Sequence, residues 1–260
     1  MTLRLRVWFV AVACATACAA AGRAGAQDLA HRVAQVKDGT VRFSFAAREG
    51  VCGDGRNNIS VRGDRDARWK DVEWECERGP VMVALTKEDG DIVSVRAYVG
   101  AKWKAAGAGV VTIGTVGVRE ATDWLLDVAA SAPGRAASQA IFPATLADSV
   151  QVWPRLLRIA RDDSRPRESR NQSVFWLGQA TSDEATKGLA EVVDDPNGDR
   201  EVRKQAVFAL SQQRDKGVES LLNIARTNKD KEIRKQAIFW LGQSKDPRAL
   251  DYFESVLAKK

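Results

Sequence analysis

Two stretches near the C-terminus decide the fold of this chain. Residues 199–210 read DREVRKQAVFAL, and residues 230–241 read DKEIRKQAIFWL. In both, apolar residues recur three and four positions apart, which is the spacing of one face of an α-helix. Turns such as residues 194–198, DDPNG, separate the helices, because Pro and Gly break helical structure. The two stretches therefore predict equivalent helices in a repeated unit.

Two interleaved series extend this repeat over residues 119–260. The first series starts at Gln139, Gln172, Gln205 and Gln236, at steps of 33, 33 and 31 residues. The second consists of bulky residues at 125–126, 156–157, 189–190, 221–222 and 252–253. Two helical series at one period predict helix–turn–helix units, with four first helices and five second helices.

These strings resemble the HEAT-like repeat family, in the short form found in bacterial proteins and in phycobilisome lyases. The resemblance is carried by residues 199–206 and 230–237, each followed by a turn and a second Asp-containing string at 215–218 or 246–249. It covers about residues 119–260. It implies protein interaction as the default role and no catalytic residue.

The earlier copies of the repeat match less well. The copy at residues 167–179 has Ser169 where the later copies have an aliphatic residue. The copy that starts at Arg135 has Ala137 where Arg is expected and Pro143 inside the predicted helix. We therefore expect about four repeats, of which the one at the junction is degenerate.

The N-terminal half has strand periodicity instead of helical periodicity. Alternation of apolar and polar residues predicts strands at 41–45, 72–76 and 92–96, and the Asp89-Gly90 step predicts a hairpin turn before the last of these. The Gly-punctuated run at 107–118 predicts one more strand. The predicted fold class is α+β, with a small antiparallel β domain at 27–118 and a HEAT-like α-solenoid at 119–260; the β domain resembles no family that we recognise.

The first 26 residues predict a signal peptide. Arg4 and Arg6 precede an apolar, Ala-rich run at 7–22, and Ala24-Gly25-Ala26 is a small-x-small cleavage site before Gln27. The run is shorter than the roughly 20 residues that span a bilayer. We therefore predict a periplasmic or secreted protein without stable membrane insertion after cleavage, although an uncleaved anchor or lipidation at Cys14 or Cys18 remains an alternative.

Export affects how charge and cysteines are interpreted. Cleavage removes three arginines and lowers the net charge from +6 to +3, so the basic composition does not argue for a nucleic-acid partner. Cys52 and Cys76 remain, and in an oxidising compartment such a pair is most simply a disulfide. A redox-active pair is the alternative, but it usually has a Cys-x-x-Cys spacing.

The helical repeats place two sets of side chains at equivalent positions: a column of arginines with a structural role and a stripe of residues on the surface. Arg170, Arg203 and Arg234 fall at the edge of the buried face, where the guanidinium can bind helix-end carbonyls or an Asp of a neighbouring turn. On the opposite arc, Gln residues seven positions apart share one stripe, with Phe on one side and Trp176 and Trp240 on the other. In one interpretation, the aromatic residues pack between repeats and the Gln residues bond along the stack. In the other, the aromatic and amide side chains form a surface that docks a partner segment or the β domain. The candidate partner-binding residues are Gln172, Phe175, Gln179, Gln205, Phe208, Gln212, Gln236, Phe239 and Gln243.

Catalytic motifs are scarce in the sequence. His31 is the only histidine, so a Ser-His-Asp arrangement would have to use it, and a His-based zinc site cannot be built. No phosphate-binding Gly-x-x-x-x-Gly-Lys loop occurs. We predict no enzyme activity, no cofactor and no metal site. The predicted function is that of an exported interaction scaffold with a protein partner. The alternatives are glycan or cell-wall binding through Trp69, Trp74 or Trp103, and a lyase-like enzyme.

Overall fold

The structure is a computed structural model and describes residues 29–61, 76–100, 102–180, 182–213 and 215–258. Within them, a small sheet precedes a row of paired helices, which confirms the predicted α+β fold class. The predicted signal peptide, Trp69, Trp74 and most of the strand predicted at 72–76 lie outside the described residues.

Four strands form the main sheet, in the order β5–β4–β1–β6, and two short strands form a separate ribbon. β1 pairs antiparallel with β4, and β4 pairs antiparallel with β5. β6 pairs parallel with β1, so the sheet is mixed and not wholly antiparallel. The strands are β1 Gly39–Phe45, β2 Cys52–Gly53, β3 Ile59–Ser60, β4 Val81–Glu88, β5 Asp91–Tyr98 and β6 Val110–Thr115.

The β4–β5 hairpin turns where the sequence predicts it. Asp89 and Gly90 form a two-residue loop in which both residues have positive φ, 52° and 91°. This is the geometry of a type I′ turn, whose twist matches that of the flanking strands. A register shift between Thr86 and Lys87 follows the turn, and beyond it Leu85 pairs with Val95, with both side chains buried.

The helices alternate in two series, as predicted. The described residues contain a helical segment at 29–34, α1, followed by nine longer helices, none of which is long and apolar enough to cross a membrane. The first helices of the repeats are α3, α5, α7 and α9, and the second helices are α2, α4, α6, α8 and α10. Pro143 lies in the last turn of α3 and is accommodated there. The bounds are α2 Val118–Ser131, α3 Gly134–Thr145, α4 Trp153–Arg161, α5 Arg167–Gly178, α6 Asp183–Asp194, α7 Arg200–Ser211, α8 Asp215–Thr227, α9 Lys231–Gln243 and α10 Pro247–Leu257.

Unequal packing of the two series of helices curves the row. The first helices contact one another more extensively than the second helices do. Between α5 and α7 the approach is close because small residues meet: a methyl group added at Gly178 would lie 2.9 Å from Cβ of Ala209. The first helices therefore lie on the inner side of the curve, and their solvent-facing side chains line a concave surface.

The sheet packs against the N-terminal end of this row. Phe43 of β1 is fully buried and meets Trp124 of α2 edge-to-face, with the ring centroids 5.8 Å apart. The edge strand β5 lies along α3, where Oε1 of Gln139 accepts a hydrogen bond from the backbone N–H of Val95 at 3.0 Å. Buried side chains of the sheet and the helices form one continuous hydrophobic core. The predicted border at residue 118 thus lies within a shared core.

Cys52 and Cys76 form a disulfide, as predicted, with their Cα atoms 5.2 Å apart. Cys52 lies in β2, and residue 77, next to Cys76, pairs with Gly53 through two backbone hydrogen bonds. The disulfide and this bridge hold residues 76–77 against the short ribbon of β2 and β3.

Candidate protein-interaction surface

The concave surface carries the residues that the sequence singled out. All nine candidates lie on α5, α7 and α9 or at their C-terminal ends, and all are half-buried or exposed. Two of the aromatic residues are open to solvent: Phe175 is 36% exposed and Phe239 is 55% exposed. We call these nine residues the concave stripe: Gln172, Phe175, Gln179, Gln205, Phe208, Gln212, Gln236, Phe239 and Gln243.

Ion pairs join the first helices of consecutive repeats. Asp199 caps α7 by accepting from the backbone N–H groups of Glu201 and Val202, at 2.9 and 3.2 Å. The same carboxylate accepts from Arg167 of the preceding first helix at 2.7 Å, and Nη2 of Arg170 lies 3.9 Å from it. Each capping carboxylate thus joins its own helix to the one before it.

The next pair of first helices repeats this arrangement. Asp230 caps α9 through the N–H of Glu232 at 2.9 Å. It also binds Arg200 at 3.3 Å and Arg203 at 3.2 Å, both on α7. Because the contact recurs between α5 and α7 and between α7 and α9, it fixes the spacing at which the side chains of the concave stripe are presented.

These contacts lower the pKa values of the two capping carboxyls. Burial alone would raise the pKa of Asp199, but hydrogen bonds from Arg167 and from the N–H groups of Val202 and Glu201 outweigh it, and the pKa is lowered. For Asp230, the hydrogen bond from the N–H of Glu232 lowers the pKa most, and the charges of Arg200 and Arg203 add to it against a smaller desolvation cost. Both groups are therefore held as carboxylates.

The arginine column is structural, as predicted; Arg170 and Arg203 are buried and Arg234 is half-buried. Arg203 donates from Nε to the carbonyl of Val193 at 2.8 Å, at the end of the preceding second helix. Arg234 donates to the carbonyls of Asn228 at 2.7 Å and Lys229 at 3.0 Å. Arg170 pairs with Asp163 in the preceding turn. In each case the guanidinium binds carbonyls at a helix end or a carboxylate in a turn. The planar guanidinium has several N–H donors in a fixed arrangement, which suits such acceptors.

Aromatic contacts between repeats account for part of the stripe. Phe142 of α3 stacks on Trp176 of α5, and Phe208 of α7 packs on Trp240 of α9, with ring centroids 5.1 and 5.0 Å apart. The packing interpretation is therefore confirmed for these two pairs. Phe175 and Phe239 contact the outer sides of Trp176 and Trp240 and remain on the surface. They are the aromatic residues of the stripe most available to another molecule.

The glutamines of the concave stripe do not bond along the stack. Within the described part of the chain, the side-chain amides of Gln172, Gln205 and Gln236 have no hydrogen-bond partner, although all three are half-buried. Their counterpart Gln139 binds the edge of the sheet through Val95. The sequence places Gln139 in the same series, but its partner lies 44 residues earlier in the chain, so the repeat pattern alone could not identify the contact.

Two further sets of sequence candidates lie elsewhere. Trp103 is half-buried, lies edge-to-face with Tyr98 at 6.1 Å, and has the guanidinium of Arg42 over its ring at 5.0 Å. His31 is exposed on α1, and its Nδ1 lies 3.4 Å from the amide nitrogen of Gln35. Neither lies on the concave stripe. No group of three or more His, Cys, Asp or Glu suited to a metal ion occurs among the residues that the structure describes.

A charged groove of about 320 Å³ lies between the second and third helical pairs. Its walls carry guanidinium and carboxylate groups that pair with each other, including Arg161 with Glu191 and Arg170 with Asp163. The first of these pairs joins α4 to α6, and the second holds the turn between α4 and α5. The groove is therefore part of the inter-repeat contact described above.

Comparison with known proteins identifies the repeats. A family model described as HEAT repeats matches residues 197–260, which hold α7 to α10. No curated protein matches the chain. HEAT repeats commonly mediate protein–protein interaction. The match lies outside the N-terminal sheet and agrees with the geometry of α7 to α10: the C-terminal part of this chain is a HEAT-like repeat domain.

Proposed function

We propose that this protein is an exported, non-catalytic scaffold that binds a protein partner on the concave surface of its HEAT-like repeats. The observation that carries the proposal is the exposure of Phe175 and Phe239 on that surface, next to amides without partners. Aromatic side chains are enriched in protein interfaces, where they supply large contact areas. A row of ion-paired helices holds these side chains in fixed positions, which limits the ordering cost of binding.

The disulfide between Cys52 and Cys76 supports export. Disulfides persist in oxidising compartments and are rare in the reducing cytosol. The mass of the mature protein, purified from its native host under conditions that block free thiols, tests both parts of this proposal. We expect a chain that begins at Gln27 and an alkylation of Cys52 and Cys76 only after reduction. A chain that retains residues 1–26, or two free thiols, would contradict it.

Partner recovery tests the interaction surface. We expect that Phe175→Ser combined with Phe239→Ser abolishes the co-purification of a partner after mild crosslinking in cells. The matched control is Leu250→Ser combined with Val256→Ser, because these side chains of α10 are also exposed and apolar but lie outside the concave stripe. Equal recovery with wild type and the Phe variants would exclude the stripe as the binding surface.

A further inference from the structure

We infer that the concave stripe binds its partner as an extended polypeptide segment, whose backbone is held by the side-chain amides of Gln172, Gln205 and Gln236. This inference rests on the proposed function and names the form in which the partner is recognised. Such a segment is either an unstructured stretch or an exposed edge strand. Its peptide groups offer the N–H donors and C=O acceptors that amide side chains complement.

The molecule already contains one contact of this kind. β5 is an edge strand of the sheet, and the N–H of Val95 points away from β4 towards α3. Oε1 of Gln139 accepts this hydrogen bond at 3.0 Å, while α3 packs along the strand. This contact shows that a Gln of the series holds the peptide N–H of an extended chain. β5 runs along α3, whereas the path of the inferred segment across α5, α7 and α9 follows from the row of amides.

The other three glutamines repeat the position of Gln139. Gln172, Gln205 and Gln236 follow it at steps of 33, 33 and 31 residues, and each lies half-buried on a first helix. Each amide has a carbonyl acceptor and an NH₂ donor. These amides have no partner within the described part of the protein and are open to water, so they can exchange water for the peptide groups of a bound segment.

The spacing of the helices fits an extended chain. Packed helices lie about 8–10 Å apart, and an extended chain advances about 3.3 Å per residue. A segment therefore passes from one helix to the next in about three residues. A peptide of about ten residues reaches α5, α7 and α9 in turn, with some residues left to extend beyond the outer helices.

The side chains next to the amides indicate what the segment carries. Phe175, Phe208 and Phe239 each lie three residues after a glutamine of the row, so they flank the path of the backbone on the same helices. The lysines near this path pair within their own helix, Lys204 with Glu201 and Lys235 with Glu232. The surface therefore favours a segment with aliphatic or aromatic side chains over a strongly charged one, much as β5 carries Ile92, Val93 and Val95.

The test uses random decapeptides displayed on phage and selected against the full-length protein. Enriched peptides are synthesised, and their dissociation constants are measured for the wild type and for a variant with Gln172→Ala, Gln205→Ala and Gln236→Ala. We expect at least about tenfold weaker binding to the variant, since three hydrogen bonds are lost. The matched control carries Lys187→Ala, Glu219→Ala and Glu254→Ala, which are exposed positions on second helices, and should bind as the wild type does. Thermal unfolding of both variants checks that they remain folded.

A second measurement separates backbone recognition from side-chain docking. N-methylation of single peptide bonds in an enriched peptide removes one N–H donor and keeps the side chains. We expect that methylation at some positions weakens binding about as much as one Gln→Ala substitution does. The inference is overturned if no peptide is enriched, if the triple variant binds normally, or if no methylated position matters. Loss of partner recovery with the Phe variants alongside these negative results would show that the proposed function holds and that the partner binds as a folded surface.

Discussion

Arg203 of α7 and Asp230 at the start of α9 are joined across the boundary between two repeats, with 3.2 Å between Nη1 and Oδ2. Asp230 caps its own helix and receives Arg200 and Arg203 from the helix before it. The two arginines differ in burial: the side chain of Arg203 is 8% exposed and that of Arg200 is 61% exposed. One carboxylate thus links a buried and a solvent-exposed cation.

This difference predicts unequal effects of two matched substitutions. Arg203→Met should lower the free energy of unfolding by about 2–3 kcal/mol, because it leaves the carbonyl of Val193 and the carboxylate of Asp230 without a buried partner. Arg200→Met removes an exposed ion pair with the same Asp230 and should cost less than about 1 kcal/mol. Urea denaturation of the two variants measures both values. Equal losses would contradict a structural role for the arginine column.

The two copies of the string FWLGQ provide a second matched pair. Gly178→Ala places a methyl group 2.9 Å from Cβ of Ala209 and 3.1 Å from its backbone, so it should destabilise the protein by about 1–3 kcal/mol. At Gly242, no atom beyond the adjacent residues and the nearby backbone of α9 lies within 4 Å of an added methyl group. Gly242→Ala should therefore stabilise the protein by about 0.5–1 kcal/mol through helix propensity. Thermal unfolding should show Tm changes of opposite sign, and a shift in the same direction would argue against close contact of α5 and α7.

Ser169 should be replaceable by an aliphatic residue, as found at the same position in the later repeats. It is fully buried, its Oγ has no hydrogen-bond partner in the described structure, and Val202 and Ile233 occupy its place in α7 and α9. Ser169→Val should raise the free energy of unfolding by about 1 kcal/mol, because it exchanges an unsatisfied hydroxyl for apolar contact. The reverse change, Val202→Ser, should lower it. Chemical denaturation tests the pair, and a destabilising Ser169→Val would indicate that the hydroxyl has a role the contacts do not reveal.

Acid should weaken the protein below about pH 4. Hydrogen bonds from Ser164 and Arg165 lower the pKa of Asp162 to about 2, and those from Arg248 lower the pKa of Asp246 to about 2. Folded pKa values below the ordinary Asp value mean that the stabilisation is present above the unfolded pKa and is lost as pH falls towards about 2. Urea midpoints measured from about pH 6 to pH 2 should fall in this range. The variant with Asp162→Asn and Asp246→Asn should show a shallower decline, and an unchanged slope would exclude these two carboxyls as the cause.

Removal of the disulfide should destabilise the sheet end of the molecule. Cys52 and Cys76 are separated by 24 residues, and a closed loop of this length contributes about 3–4 kcal/mol in the chain-entropy model. Cys52→Ala combined with Cys76→Ala should show this loss in urea denaturation. The reducing agent dithiothreitol should destabilise the wild type and leave the double variant unchanged, which controls for other effects of reduction.

Local signals in the sequence predicted much of this fold. The Asp89-Gly90 step marks its hairpin turn because a type I′ loop needs positive φ at both positions, and the period of 31 to 33 residues marks both series of helices. The parallel pairing of β6 with β1 left no such signal, because the strands are about 70 residues apart and join through a long crossover. The mixed sheet therefore appears only in the structure.

The sequence predicted which residues form the candidate surface, and it did not predict the shape of that surface. The heptad spacing of the glutamines placed them on one stripe, but the closer packing of the first helices, including the approach of Gly178 to Ala209, appears only in the structure. The helical pattern also predicted the structural role of Arg203. It could not show that Gln139 binds Val95, because that contact joins two segments with different periodicities.

The contact between Gln139 and Val95 also constrains where the chain can be divided. A fragment that stops at residue 118 would lack α2 and α3, so the outward N–H of Val95 would have no acceptor from α3 and Phe43 would lose its contact with Trp124. An uncovered edge strand beside an apolar face is a template for pairing with other chains. The isolated sheet is therefore expected to self-associate, and during synthesis its edge stays unprotected until residue 139 has been added.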